Sequence, residues 1–172
     1  ADASLEGMGK LKAVFAKENG TVTAGNASGI NDAAAAVVLM EKSAAEKKGL
    51  KPLGRFLGFA VAGCEPDEMG IGPVYAIPKV LAQAGLKKED LDWVELNEAF
   101  AAQALAVIRD VGLDPSKVNP QGGAIALGHP LGATGAIRAA TLVHGMRRNK
   151  QKWGMVTMCI GGGMGAAGIF EN

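Results

Sequence analysis

A chain of 172 residues is long enough for one domain with a sizeable core, since a chain of this size buries roughly 70% of the surface its unfolded form exposes. Its formal net charge of +1, with 48% apolar and 20% charged residues, is ordinary for a globular protein. No sustained basic run extends beyond Arg147-Arg148 and its neighbours, so nucleic-acid binding has no electrostatic footprint. No apolar stretch approaches the length of a membrane span, and the first residues are too polar for a signal peptide.

Cys64 and Cys159, the only two cysteines, lie far apart, which points to free thiols in a reducing compartment rather than a disulfide framework. The 25 glycines cluster in loops, where backbone is brought close to a ligand or to another strand. The chain begins at Ala1 rather than Met, as expected of a processed product, a truncation or part of a longer chain.

In chain order, the first twenty residues are weakly amphipathic and end in the turn signal Asn19-Gly20. Thr21 to Thr23 read as strand, and a small-residue loop follows from Ala24 to Gly29. Asn31 and Asp32 are suited to cap a short helix over the alanine run, and Ala36 to Met40 reads as a buried strand. Ser43 to Lys48 is a short helix closed by Gly49. A strand over Arg55 to Ala62 precedes a loop holding Cys64, Pro66 and Met69. Val74, Ile77, Val80, Leu81 and Ala84 keep helical spacing, stopped by Gly85. Leu91 to Leu96 reads as a strand, Phe100 to Val111 as an amphipathic helix. A helix from Thr134 to Arg147 follows Gly128-His129-Pro130, with Ile137, Ala140, Leu142 and Val143 read as core. The chain closes with a strand from Trp153 to Ile160, a triple-glycine turn and a second strand to Phe170. Strands alternating with helices, with a terminal strand pair, argue for a layered α/β domain.

Gly163-Met164-Gly165-Ala166-Ala167-Gly168 satisfies a dinucleotide-binding pattern. That site needs a helix opening on its glycines, and only four residues remain. A glycine turn between antiparallel strands is the better reading. Pro130 holds His129 extended, so its imidazole keeps one direction, and histidine is the usual proton carrier near neutral pH. A turn histidine with no task is the competing reading. His144, beside arginines on a helix, reads as a surface residue. Cys159 ends an apolar strand where the bare backbone of Gly161 is free to present an N–H. Most strand cysteines are buried hydrophobes, but a thiol near a histidine also serves as nucleophile or acid/base. Asn97, at a strand-to-helix junction, is suited to cap the helix or to face a ligand beyond the strand end.

Taken together, Asn97-Glu98-Ala99-Phe100-Ala101, the run from Gly122 to Pro130 and the run from Cys159 to Gly165 resemble the three signature blocks of the thiolase family, in its order and spacing. The loop from Gly25 to Asp32 matches as well. The resemblance extends from about Gly20 to the C-terminus. It implies a layered α/β fold of two alike halves, each a five-stranded mixed sheet flanked by helices. This chain corresponds to the C-terminal half, over residues 21–172, with residues 1–20 the tail of a preceding linker.

The activity implied is acyl transfer to coenzyme A by reversible thiolytic cleavage or Claisen condensation of 3-ketoacyl-CoA or acetoacetyl-CoA. Coenzyme A is a substrate; no permanently bound cofactor and no metal are expected. By the resemblance, His129 activates a nucleophilic cysteine supplied by the N-terminal half, which is missing here. Together with a water held by Asn97, it also binds a thioester oxygen. Cys159 moves the α-carbon proton, and the Gly161 N–H joins a second oxyanion hole. Ser28 matches a pantetheine-contacting serine, while Met69 and Phe100 match the lining of the acyl and pantetheine pocket. The related condensing enzymes typically carry histidine where this chain has Asn97. Val118-Asn119-Pro120 and the run from Gly168 to Glu171 lean toward degradative 3-ketoacyl-CoA members, and Met69 also occurs in short-chain ones. The implied partners are CoA thioesters, the N-terminal half, and further copies in a homodimer or homotetramer. The implied location is cytoplasmic, or the mitochondrial matrix or peroxisome in a eukaryote. The alternatives are a non-catalytic CoA- or lipid-binding carrier on this fold and a purely structural oligomerisation fragment.

Overall fold

The computed structural model describes residues 3–172. Its elements run α1 (Leu5–Gly9), β1 (Ile30–Asn31), α2 (Lys42–Lys47), β2 (Arg55–Gly63), α3 (Gly72–Ala84), β3 (Trp93–Leu96), α4 (Ala101–Val111), α5 (Ala124–Leu127), β4 (His129–Pro130), α6 (Thr134–Asn149), β5 (Trp153–Ile160) and β6 (Met164–Glu171). The main sheet has the order β2-β6-β5-β3. β3 runs parallel to β5, and the other two pairings are antiparallel, so the sheet is mixed. β1 and β4 form a separate parallel pair that joins Ile30 to His129.

The fifth expected strand is reduced to a single parallel bridge, Val94 to Val118, on the open side of β3. Asn119, at φ +46°, ends the pairing by substituting its side chain for backbone. Its Nδ2 donates to Leu96 O at 2.8 Å, and its Oδ1 accepts from Leu96 N at 2.9 Å. A residue folded back on itself in this way cannot extend a ladder.

One face of the sheet carries the larger core. Ile77, Val80 and Leu81 of α3, and Ala104 and Val107 of α4, pack on Leu96, Met155, Ala167 and Ile169. The 3.6-residue spacing in α3 and α4 produces this contact, and left-handed Gly85 and Gly112 end both helices. On the opposite face α6 covers only the β3–β5 side, where Trp93, Leu142, Met146 and Val156 form a smaller cluster. Phe56, Phe59 and Val61 of edge strand β2 stay exposed there.

Four local expectations give way. The alanine run after Asp32 forms no helix, because Asn31 Oδ1 accepts from His129 N at 3.2 Å instead of capping. Thr21–Thr23 and Ala36–Met40 form no ladder among the described residues. Val38 is 88% exposed and Leu39 77%; an apolar strand without a partner has neither backbone pairing nor burial to hold it. Within α6, Ile137 and Ala140 face outward, while Arg138 lies inside at 1% exposure.

The start of α3 lies directly on β6. A Cβ on Gly165 would overlap the backbone of Gly72 and Pro73. Gly165→Ala is therefore expected to destabilise the chain by about 1–3 kcal/mol through overpacking. The effect should appear as a lower urea midpoint at unchanged slope.

Candidate active site

Asn97, His129 and Thr134 form one hydrogen-bonded chain. Asn97 follows β3, where its N–H donates to Thr157 O of β5 at 2.9 Å. Its side chain is 0% exposed and caps nothing, since Phe100 holds the N-cap position of α4. Instead Asn97 Nδ2 lies 3.2 Å from His129 Nε2. On the other side of the ring, His129 Nδ1 lies 2.7 Å from Thr134 Oγ1. Thr134 donates its single hydroxyl proton to Pro130 O at 2.8 Å, so its oxygen accepts from Nδ1–H. The lone pair of the neutral ring is thereby placed on Nε2, toward Asn97. Asn97 Oδ1 is buried without a hydrogen-bond partner among the described residues, a setting suited to an ordered water or a ligand donor.

His129 also lines a cleft of about 580 Å³ with Ser28, Asn31, Asp32, Leu131 and Gly132. Ser28 is held there because its N–H donates to Ala99 O at 2.9 Å, while Ala101 N donates to Asn26 O at 2.8 Å. This zipper also brings Phe100 beside Ala27. Phe100 further meets Phe15 edge to face at 6.0 Å. Met69 sits half-buried in the 3-10 turn Pro66–Ile71. Cys159 is the last but one residue of β5, on the same strand face as Thr157, and Gly161 is exposed in the turn to β6. Gly162 and Gly163 take φ of +88° and +90°, which glycine adopts freely. Cys159, Gly161, Met69, Phe100 and Asn97 lie outside the wall of the cleft. His144 is exposed, as its sequence setting suggests.

Burial acts oppositely on the two titratable groups. It lowers the pKa of His129, and the nearby Arg138 charge lowers it further; the ring is thus kept neutral, as a base requires. Burial raises the pKa of the Cys159 thiol, against a hydrogen bond from its own backbone. The proton-carrying form prevails at neutral pH, as an acid requires.

Behind this chain lie groups the sequence alone did not single out. Arg138 Nη1 donates to Glu95 Oε2 at 3.1 Å and to Gly122 O at 3.2 Å. Trp93 Nε1 donates to Glu95 Oε1 at 2.6 Å. Glu98 accepts from Asn119 Nδ2 at 2.9 Å and from Ile125 N at 3.2 Å. A Cβ on Gly123 would collide with the Glu98 carboxylate, so any larger residue there would have to displace that carboxylate from Asn119 and Ile125. Glu98 stands inside the block around Asn97, which was the one sequence signal available. No cluster of three or more His, Cys, Asp or Glu among the described residues is arranged to hold a metal ion.

The fold is a layered α/β domain built on a mixed sheet. The chain belongs to the thiolase family: the model of the thiolase C-terminal domain matches residues 50–172, and that of the N-terminal domain matches residues 1–43. A beta-ketothiolase of Cupriavidus necator is 59% identical over 171 residues, covering 99% of this chain and 43% of that protein. A 3-ketoacyl-CoA thiolase of Bacillus subtilis is 56% identical, covering 95% of this chain and 42% of its own length. The crystal structure of human mitochondrial 3-ketoacyl-CoA thiolase in complex with CoA superposes with a TM-score of 0.92 at 49% identity, covering 99% of this chain and 43% of that one. Bacillus anthracis acetyl-CoA acetyltransferase superposes at 0.96 with 48% identity over the same shares. The chain thus spans about two fifths of the relatives it matches.

Two measurements follow. Because folding lowers the His129 pKa, the unfolded chain takes up that proton first. Its contribution is complete above about pH 6.5 and is lost as pH falls through the lower folded value. His129→Asn should therefore show a smaller stability loss as pH falls below about 6.5 in urea titrations. For Cys159, the pH midpoint of iodoacetamide alkylation, followed by peptide mass spectrometry, should lie above the ordinary thiol value of about 8.5.

Proposed function

We propose that this chain is the acid/base half of a thiolase acting on 3-ketoacyl-CoA or acetoacetyl-CoA, and that it takes its nucleophilic cysteine from an N-terminal half. The observation that carries the reading is the Asn97–His129–Thr134 chain, which leaves the His129 lone pair on Nε2. A CoA carrier has no use for an imidazole with a fixed tautomer.

In the proposed cycle, the Asn97 amide gives up the Nε2 lone pair, which takes the proton of the N-terminal cysteine, and the thiolate attacks the 3-keto carbon. The bond between the second and third carbons breaks, and its electron pair passes to the departing acetyl-CoA enolate. Cys159 S–H protonates that carbon. The Cys159 thiolate then takes the proton of a CoA thiol, which attacks the acyl-enzyme and releases the shortened thioester. His129 returns its proton to the first cysteine. Asn97 Oδ1 holds a water that, with His129, binds the carbonyl oxygen; the Gly161 N–H joins the second oxyanion site. Ser28 contacts pantetheine from the cleft wall, and Met69 and Phe100 line the acyl and pantetheine passage. A donor at an oxyanion site is worth on the order of 10²–10³ in rate, and a positioned acid/base about 10²–10⁴.

The surface supports a missing partner of this kind. Leu131 is 82% exposed and Phe59 53%, and Ile137 lies on the outer side of α6. The unpaired Ala36–Met40 segment lies within the stretch matched by the N-terminal domain model. Further copies of the assembled enzyme form a homodimer or homotetramer in this reading, and the expected location is the cytoplasm or a fatty-acid-degrading organelle. Among the described residues no helix is long and apolar enough to cross a membrane.

The test is reconstitution. The chain alone is expected to show no thiolysis of acetoacetyl-CoA, and appreciable turnover by it would overturn the reading. Mixed with a separately produced N-terminal half, it should gain activity. His129→Ala or Cys159→Ala should remove about 10²–10⁴ of that rate.

A further inference from the structure

Four residues of β3, its continuation and α6 form two rungs across one gap. Glu95 and Asn97 are two apart along one extended strand and its continuation, which places them on one side of the chain. Thr134 and Arg138 are four apart on α6, one above the other on one helix face. Glu95 bonds Arg138 across the gap, and Asn97 reaches Thr134 across the same gap through the His129 ring.

We infer that the buried Glu95–Arg138 pair is a positioning device, setting the separation of β3 and α6 at which the His129 imidazole fits between Asn97 and Thr134. Its chemistry points away from a role in stability. Both side chains are almost wholly buried, at 0% and 1% exposure, so both have lost their hydration. The guanidinium engages Glu95 through Nη1 alone, divided with Gly122 O, and its Nε has no partner among the described residues. A single-point contact of this kind recovers less of the desolvation cost than a paired fork, and apolar replacements of such pairs are often neutral or stabilising. What the pair does supply is placement. Arg138 ties α6 to the Gly122 carbonyl, at the start of the loop that leads through α5 to His129. Trp93 fixes the Glu95 carboxylate from within β3. The hydrogen bonds of the pair are therefore anchored on one strand, one helix and, through Arg138, one loop.

The inference rests on His129 being the catalytic base, but its test does not. The chain has only two histidines, and exposed His144 is an internal control for nitrogen-15 spectra of the imidazoles. The charged and titratable groups around His129 are Asp32 on the cleft wall, Glu95 on β3, Glu98 just after it, Arg138 on α6 and Cys159 on β5, while His144, Arg147 and Arg148 lie toward the far end of α6. The double variant Glu95→Leu/Arg138→Met removes two of these and leaves the rest.

The double variant is expected to fold with an unchanged or higher thermal midpoint. Its His129 should lose the dominance of the Nδ1–H tautomer, and its titration midpoint should rise toward the ordinary value of about 6.5, with His144 unmoved. In the assembly with an N-terminal half, kcat should fall about 10–100-fold at little-changed KM, as expected of a base displaced by a fraction of an ångström to one ångström. A folded double variant with the parent His129 tautomer and midpoint overturns the inference. If the double variant does not fold, Glu95→Gln, which keeps the carboxylate's shape, is read by the same spectra with the same two outcomes. A parent assembly without thiolysis sinks the functional reading and leaves the spectral comparison to decide the positioning role.

Discussion

Taking a carboxylate and a guanidinium out of water is among the most expensive acts in folding, and this chain performs it beside Trp93 of its smaller cluster. Glu95 and Arg138 tie the parallel strand β3 to α6, and α6 to the Gly122 loop. The short segments that carry chemistry hang from this junction. Asn97 continues β3 after the buried strand, and His129 lies between the loop and the helix. Burial of Glu95 raises its pKa, while Trp93 and Arg138 oppose the rise through hydrogen bonds and charge. The hydrogen bonds offset only part of the effect of burial, which prevails at this fully buried carboxyl.

The same dryness sorts the two proton carriers. Burial disfavours the charged form of any group, which means a lower pKa for an imidazole and a higher one for a thiol. His129 and Cys159 are displaced in opposite directions by one physical cause. An unprotonated base and a protonated acid then coexist near neutrality without a dedicated charge beside each. The Arg138 charge adds to the effect at His129 only, so one side chain both places the ring and favours its neutral form.

Much of the architecture was legible because its causes are local. The helical spacing from Val74 to Ala84, the left-handed glycine after it, and the strand–glycine–strand run from Trp153 to Phe170 each specify an element within a few residues. The dinucleotide-like glycine pattern was correctly set aside, since those residues pair within β6 and against β5. The misreadings share a different origin. Asn97 has the chemistry of a cap, and only a histidine 32 positions away draws it elsewhere. Arg138 looks like helix surface and Ile137 like core until Glu95, 43 residues earlier, takes the arginine inside. Thr134 was the start of a helix in the sequence and became the group that fixes a tautomer. The fifth strand stopped at Val118 because Asn119 turned its own amide onto Leu96.

The half-covered sheet face has a thermodynamic consequence. A chain that leaves Phe59, Leu131 and Leu39 in water has a folded state whose free energy depends on what is dissolved beside it. Any partner that binds only the native form adds RT ln(1 + [L]/Kd), about 2.7 kcal/mol at a hundredfold excess over Kd. Melting temperature is then a property of the mixture, rising with the concentration of the complementary half. In a cell that made the halves separately, survival of this one would track the supply of the other.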